Sequence, residues 1–190
     1  MAKETRATIS DPGAIAALTH PVRLNLLNHL MASGPATASA CARAVGDTPS
    51  NCSYHLRLLA KHGWVAAGES ADARERPWRA LITGFSVGAS SDDPDGPSGR
   101  RAAALAALSL HRDQQLARDA LTRLAELSPS WRRAATHNSY TLRMTAAELT
   151  ELAIRLDALI RPYIAATRDD ADTASALVHL DVSAFPTAGA

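Results

Sequence analysis

A mainly α fold with a small β component follows from three features of the 190-residue sequence. Aromatic residues make up 4% of the chain while alanine is abundant, a balance that favours helices over an all-β fold. Leucines and other aliphatic residues recur at three-to-four spacing in several long runs. Two short runs, "WVAAGES" and "PWRALIT", bracket the charged tip "ADARER" and read as a hairpin. An apolar content of 46% suffices for a buried core, and the length allows one domain or two small ones.

From the N-terminus, "DPGAIAALTHPVRLNLLNHLMAS" is helical, with Pro21 suited to the first turn of a helix that Thr19 or His20 could cap. Val22, Leu26, Leu27 and Leu30 then recur at helical spacing and should face inward. "GPATASACARAVG" predicts a second helix that starts near Thr37 and is closed by Gly46, a residue that tolerates the left-handed end conformation. Only Asp47 and Thr48 separate it from the next helix, which begins with Pro49. A short turn between two helices, opened by good N-cap residues, is the sequence form of a helix-turn-helix. Followed by the hairpin, it gives the element order of a winged helix.

A domain over residues 1–84 is therefore expected. "FSVGASSDDPDGPSGR", Phe85 to Arg100, accumulates Gly, Ser, Asp and Pro and loses hydrophobic periodicity, so residues 85–100 read as a linker. Residues 101–190 read as a C-terminal helical region for dimerisation and effector binding. It contains the helices "AALAALSLHRDQQLARDALTRLAEL" and "TAAELTELAIRLDALIRPYIAATRDD". Leu149, Leu152, Leu156, Leu159 and Tyr163 form a seam suited to another helix, within the chain or in a second copy. "SYTLRMT" and "ALVHLDVSAF" alternate, and could pair as a two-stranded sheet flanking the last long helix.

The helix from Pro49 to His62 carries the functional signal. Cys52, Leu56 and Leu59 share one stripe and should pack on the preceding helices. Ser50, Tyr54, Arg57 and Lys61 share another face, with Asn51 and Ser53 beside its N-terminal end. Short hydrogen-bonding groups there can touch base edges, and the cations farther along can meet phosphates. The free N–H groups at the helix start favour a phosphate oxygen near Thr48. A merely solvated face would carry Glu and Lys pairs, whereas no acidic residue occurs from Thr48 through Gly68. Arg74 and Arg76 at the hairpin tip could reach a minor groove, although Glu75 and Asp72 weaken the field and ordinary loop charge is the plainer reading.

"LTHPVRLNLLNHL", "SNCSYHLRLLAKHGWV" and "RERPWRA" together resemble the ArsR-type winged-helix transcriptional regulators, over about residues 12 to 83. The resemblance implies that the helix from Pro49 to His62 enters the major groove of double-stranded operator DNA. It places Ser50, Asn51 and Tyr54 at bases, and Ser53, His55 and Arg57 at phosphates or at the helix-packing edge. It further implies a homodimeric repressor released by a metal or a small molecule. The sequence departs from the metal-sensing members, which carry paired cysteines where "SACARAV" has Cys41 alone, so sensing at that site is not expected. Trp64 stands where many relatives have leucine and should enlarge the packing under the wing.

Charge alone advertises little, since the net value is +1. Residues 1 to 85 hold nine Lys and Arg against six Asp and Glu, and the remainder holds eleven against thirteen, so the halves are +3 and −2. No apolar run approaches membrane-spanning length and "MAKETRATIS" is too polar for a signal peptide, so a soluble cytoplasmic protein without a membrane partner is expected. Cys41 and Cys52 read as small buried hydrophobes with reduced thiols. None of the seven histidines has metal-ligand spacing, so no metal and no cofactor is expected; His137 with His179 is the pair to inspect. Trp131, Tyr140, Tyr163 and Phe185 could line a small-molecule effector pocket, the plainer reading being that they fill a small core. A winged-helix module that docks a protein instead of DNA is the competing function. An enzyme ranks last, because no nucleophile elbow, phosphate-binding loop or credible carboxylate pair occurs.

Overall fold

The computed structural model describes residues 6–8, 11–69, 76–86, 94–165, 168 and 175–186. The chain divides into two units, residues 1–110 with 164–177 and residues 111–163 with 178–190.

The first unit begins with β1 (Arg6–Thr8) and continues through α1 (Pro12–Leu18), α2 (Pro21–Ser33), α3 (Ala38–Val45) and α4 (Pro49–Lys61). Each helix start has a local cause. The Asp11 carboxylate accepts the Ala14 N–H at 2.6 Å, and the Thr37 and Thr48 hydroxyls accept those of Ala40 and Asn51 at 3.2 and 3.3 Å. The break between α1 and α2 falls at His20, whose backbone is extended (φ −153°, ψ 127°) because Pro21 disfavours the helical region for the residue before it. His20 holds the N-cap position through its backbone alone, while the Thr19 hydroxyl turns back to the Ile15 carbonyl. Arg23 ties the two helices together by donating to the Ala16 and Ala17 carbonyls at the end of α1. Gly46 ends α3 in the left-handed region (φ 71°, ψ 40°), which lets the chain reverse within two residues into α4.

After α4 come β2 (Val65–Ala67), β3 (Trp78–Ala80) and β4 (Gly84–Ser86). β2 and β3 pair antiparallel with Val65 opposite Ala80 and Ala67 opposite Trp78, and Ala36 extends this sheet by exchanging both backbone bonds with Trp78. The paired segments are shorter than the two runs that announce them in sequence. β1 pairs with β4 in parallel, Arg6 opposite Gly84. The polar N-terminus gave no sign of this strand, and β4 places Phe85 and Ser86 in regular structure at the start of the stretch read as a linker. Its other end, from Pro97, opens α5 (Pro97–Thr122).

The core joins Leu18 of α1, Leu26, Leu27 and Leu30 of α2, Cys41 of α3 and Cys52, Leu56 and Leu59 of α4 to Trp64, Val65, Ile82 and Leu105 of α5. Val22 lies half-buried at its edge. Trp64 is buried and its indole N–H donates to the Ala14 carbonyl at 3.2 Å, so the larger ring also anchors α1.

The second unit holds the end of α5, a 3-10 turn (Leu124–Glu126), α6 (Pro129–Ala134), α7 (Ala146–Ile160) and a 3-10 turn (Arg161–Tyr163). α7 starts with a reciprocal capping box: the Glu148 N–H donates to the Thr145 hydroxyl at 3.2 Å and the Thr145 N–H to the Glu148 carboxylate at 2.7 Å. None of the unit's described residues is buried. In the predicted seam Leu149, Leu152 and Leu156 are half-buried, but Leu159 and Tyr163 are each 69% exposed. "SYTLRMT" and "ALVHLDVSAF" have no regular secondary structure and form no ladder, because residues 136–144 and 176–186 make no backbone–backbone hydrogen bond with any described segment. Their expected pairing with each other is therefore absent within the chain.

Candidate nucleic-acid interface

α4 presents the predicted division of faces. Cys52, Leu56 and Leu59 are fully buried against the other helices of the unit, while Ser50, Tyr54, Arg57 and Lys61 are exposed. Tyr54 is 58% exposed, high for a side chain of its size and apolarity. Neither Arg57 nor Lys61 is paired with a carboxylate among the described residues, so both cations stay available. Asn51 and Ser53 are half-buried along the edge of this face.

His55 is placed by its burial. It is 6% exposed, and its ring lies 4.7 Å from that of His20, centroid to centroid, at an interplanar angle of 39°. Of the two roles open to it, His55 takes the helix-packing edge and leaves the outward set. Tyr54 meets the His55 ring edge-on at 5.2 Å. The Nδ1 atoms of His20 and His55 are buried without a hydrogen-bond partner. Burial lowers the pKa of both rings, with the Arg23 charge acting in the same direction and Asp47 opposing it. Both imidazoles are thus held neutral, and neither supplies a cation to a phosphate.

The start of α4 differs from expectation. The Asp47 carboxylate accepts the Thr48 N–H at 2.6 Å and the Asn51 side-chain amide at 2.7 Å. These two bonds hold its pKa below the usual carboxylate value. The Thr48 hydroxyl is used by the Asn51 N–H. Two of the donors offered at this helix start are therefore taken and a negative charge stands beside them, while the Ser50 N–H and hydroxyl and the Asn51 Oδ1 have no partner among the described residues. Asp47, His20 and Arg23 are the residues sequence reasoning missed. The sequence offers His20 only as a helix cap and, with Arg23, as part of a family signature, and Asp47 only as a turn residue.

Beyond α4, Arg76 is exposed beside the β2–β3 hairpin, and Arg74 lies outside the described residues. Cys41 and Cys52 are both fully buried and free. Burial, reinforced by Cys52, pushes the Cys41 thiol up to about 11, and burial also raises Cys52. His179 pairs with Asp113 at 3.1 Å, leaving His137 on the surface elsewhere in the sequence. Trp131, Tyr140, Tyr163 and Phe185 are 37, 77, 69 and 72% exposed, which is surface placement and not the lining of a closed pocket. Among the described residues no group of three or more His, Cys, Asp or Glu is placed to hold a metal ion. No described helix is long and apolar enough to cross a membrane.

A family model for a helix-turn-helix domain matches residues 18–65, from the last residue of α1 to the first of β2. Comparison with curated proteins gives no match. The matched span contains the helix pair α3–α4 and the whole outward face described above, so the fold and the match together give this unit a helix-turn-helix domain and support a DNA-binding transcription regulator in general.

Proposed function

We propose that this protein is a sequence-specific transcriptional repressor of the ArsR type, acting in the cytoplasm as a homodimer on a palindromic operator. α4 lies in the major groove, with Ser50, Asn51 and Tyr54 at base edges and Arg57 and Lys61 at phosphates; Ser53 and Thr48 flank the backbone. Arg74 and Arg76 extend the contact through the wing. Release by a small molecule belongs to the same reading, with Trp131, Tyr140, Tyr163 and Phe185 as the aromatic surface it would use. The observation that carries the proposal is the exposed, acid-free face of α4, on which a largely uncovered tyrosine stands beside two unpaired cations.

The test is an operator shift with DNA fragments selected from the native genome by the purified chain. Tyr54→Ala with Arg57→Ala should abolish the shift while circular dichroism and native mass stay unchanged. Binding that survived at moderate salt would remove α4 from the interface. Docking of a protein through the hairpin, without reading DNA, is the second reading, favoured by the Asp47 charge at the head of α4. Phosphate contacts give affinity a steep negative dependence on salt, and a flat dependence would select the protein partner.

A further inference from the structure

The C-terminal segment from Val178 to Phe185 leaves its large apolar side chains uncovered. His179 faces its own α5, with Nε2 3.1 Å from Asp113. In a strand successive side chains alternate, which would set Val178, Leu180 and Val182 on the side opposite His179 and Asp181. They are 70, 62 and 52% exposed. The apolar side chains are thus left uncovered while His179 is ion-paired, and among the described residues no backbone N–H or C=O from 178 to 185 has a backbone partner. Ser139–Thr145 is uncovered in the same way: Tyr140 and Leu142 are 77 and 59% exposed, and among the described residues its backbone is unpaired through residue 144.

We propose that these two segments pair with each other across two copies of the chain, the Val178–Phe185 segment of one copy adding as a strand to Ser139–Met144 of the other, and reciprocally. The two patterns match. Setting Arg143 opposite Asp181 brings Leu142 and Met144 against Leu180 and Val182 in either strand direction, because all four have the same parity relative to the charged pair. Arg143 has no carboxylate partner among the described residues, and Asp181 is contacted only by the Ser183 hydroxyl, at 3.2 Å. A second copy is the occupant that supplies both complementary strands at once, and a two-fold exchange closes without leaving either segment unpaired. It also gives the second unit the apolar cover that none of its own described residues receives. The inference specifies the contact behind the homodimer proposed above, and its test involves no DNA.

Full-length Arg143→Cys and Asp181→Cys chains are prepared separately, mixed, and oxidised. The native thiols do not interfere, since Cys41 and Cys52 are fully buried. Strand exchange predicts a covalent species of twice the chain mass in the mixture, in several-fold excess over either variant oxidised alone. Cross-linking confined to a chain carrying both cysteines, migrating as a monomer, would mean pairing within one copy and overturn the proposal. A dimeric mass without the mixed cross-link would also overturn it, placing the dimer contact elsewhere and leaving the repressor reading intact. As a check independent of cysteine, Leu180→Glu with Val182→Glu should convert the chain to a monomer that keeps the helical circular dichroism of the first unit. A persistent dimer would count against the exchange.

Discussion

Tyr54 and Leu56 are two residues apart on α4, yet truncation of each to alanine should read out in different assays. Leu56 is fully buried in the core, so Leu56→Ala removes packed atoms and leaves a cavity. Such deletions cost about 2–5 kcal/mol, and at roughly 4 °C per kcal/mol for a unit of this size the melting temperature should fall by about 8–20 °C. Tyr54 is 58% exposed and its main ring contact is the edge of His55, so Tyr54→Ala should change stability by no more than about 0.5–1 kcal/mol. Operator affinity should respond in reverse: at a temperature where both variants are folded, Tyr54→Ala weakens binding and Leu56→Ala leaves it near the parent value. Arg57→Ala should lower the slope of log affinity against log salt by about 1, the signature of one lost phosphate contact. Thermal melts followed at 222 nm, paired with anisotropy titrations on a selected operator, measure all three. Comparable melting losses for Tyr54→Ala and Leu56→Ala, or an unchanged salt slope for Arg57→Ala, would refute the assignment of faces.

The paired imidazoles make stability depend on pH. Because the folded state holds His20 and His55 neutral, with pKa values below the ordinary 6.5, the unfolded chain binds more protons as pH falls through 6.5. Their contribution is complete above that value and lost below it, so the urea midpoint should drop between pH 7.5 and 5.5, and His55→Leu should flatten the drop. Asp47 and Glu148 act in a lower window, since their depressed carboxyl pKa values give stability that is lost only as pH falls below the ordinary carboxylate range. Trp64→Phe removes the donor to the Ala14 carbonyl and should cost about 1 kcal/mol in a denaturant titration, with α4 unaffected. Cys41, with its thiol at about 11 and no exposed surface, should resist alkylation at pH 8 in the native state and react promptly in denaturant.

The parts of this fold legible in sequence are those set by local periodicity and capping chemistry. The inward stripe of Cys52, Leu56 and Leu59, the turn at Gly46 and the break before Pro21 depend on neighbours within a few residues. What escaped depends on distant partners. β1 is three residues in a polar stretch, and it exists only because β4 lies alongside it. The sequence leaves His55 between a phosphate and the helix-packing edge because burial of one polar residue beside a hydrophobic stripe needs a matching ring, and that ring is His20, at the N-cap of α2. Alternation in residues 139–145 and 176–185 predicts strands that neither run forms within the chain, because pairing is a property of two segments and alternation in one cannot name the other.

The hydrogen bond from the Asn51 amide to Asp47 fixes which end of that side chain is occupied. With one amide hydrogen committed to the carboxylate, the Oδ1 atom, unpartnered within the chain, becomes the more available end and would meet the exocyclic amino group of an adenine or a cytosine sooner than the carbonyl of a guanine or thymine. A turn residue that never touches a nucleotide could in this way bias the letter read beside it, and substituting Asp47 would loosen the preferred sequence before it weakened the grip.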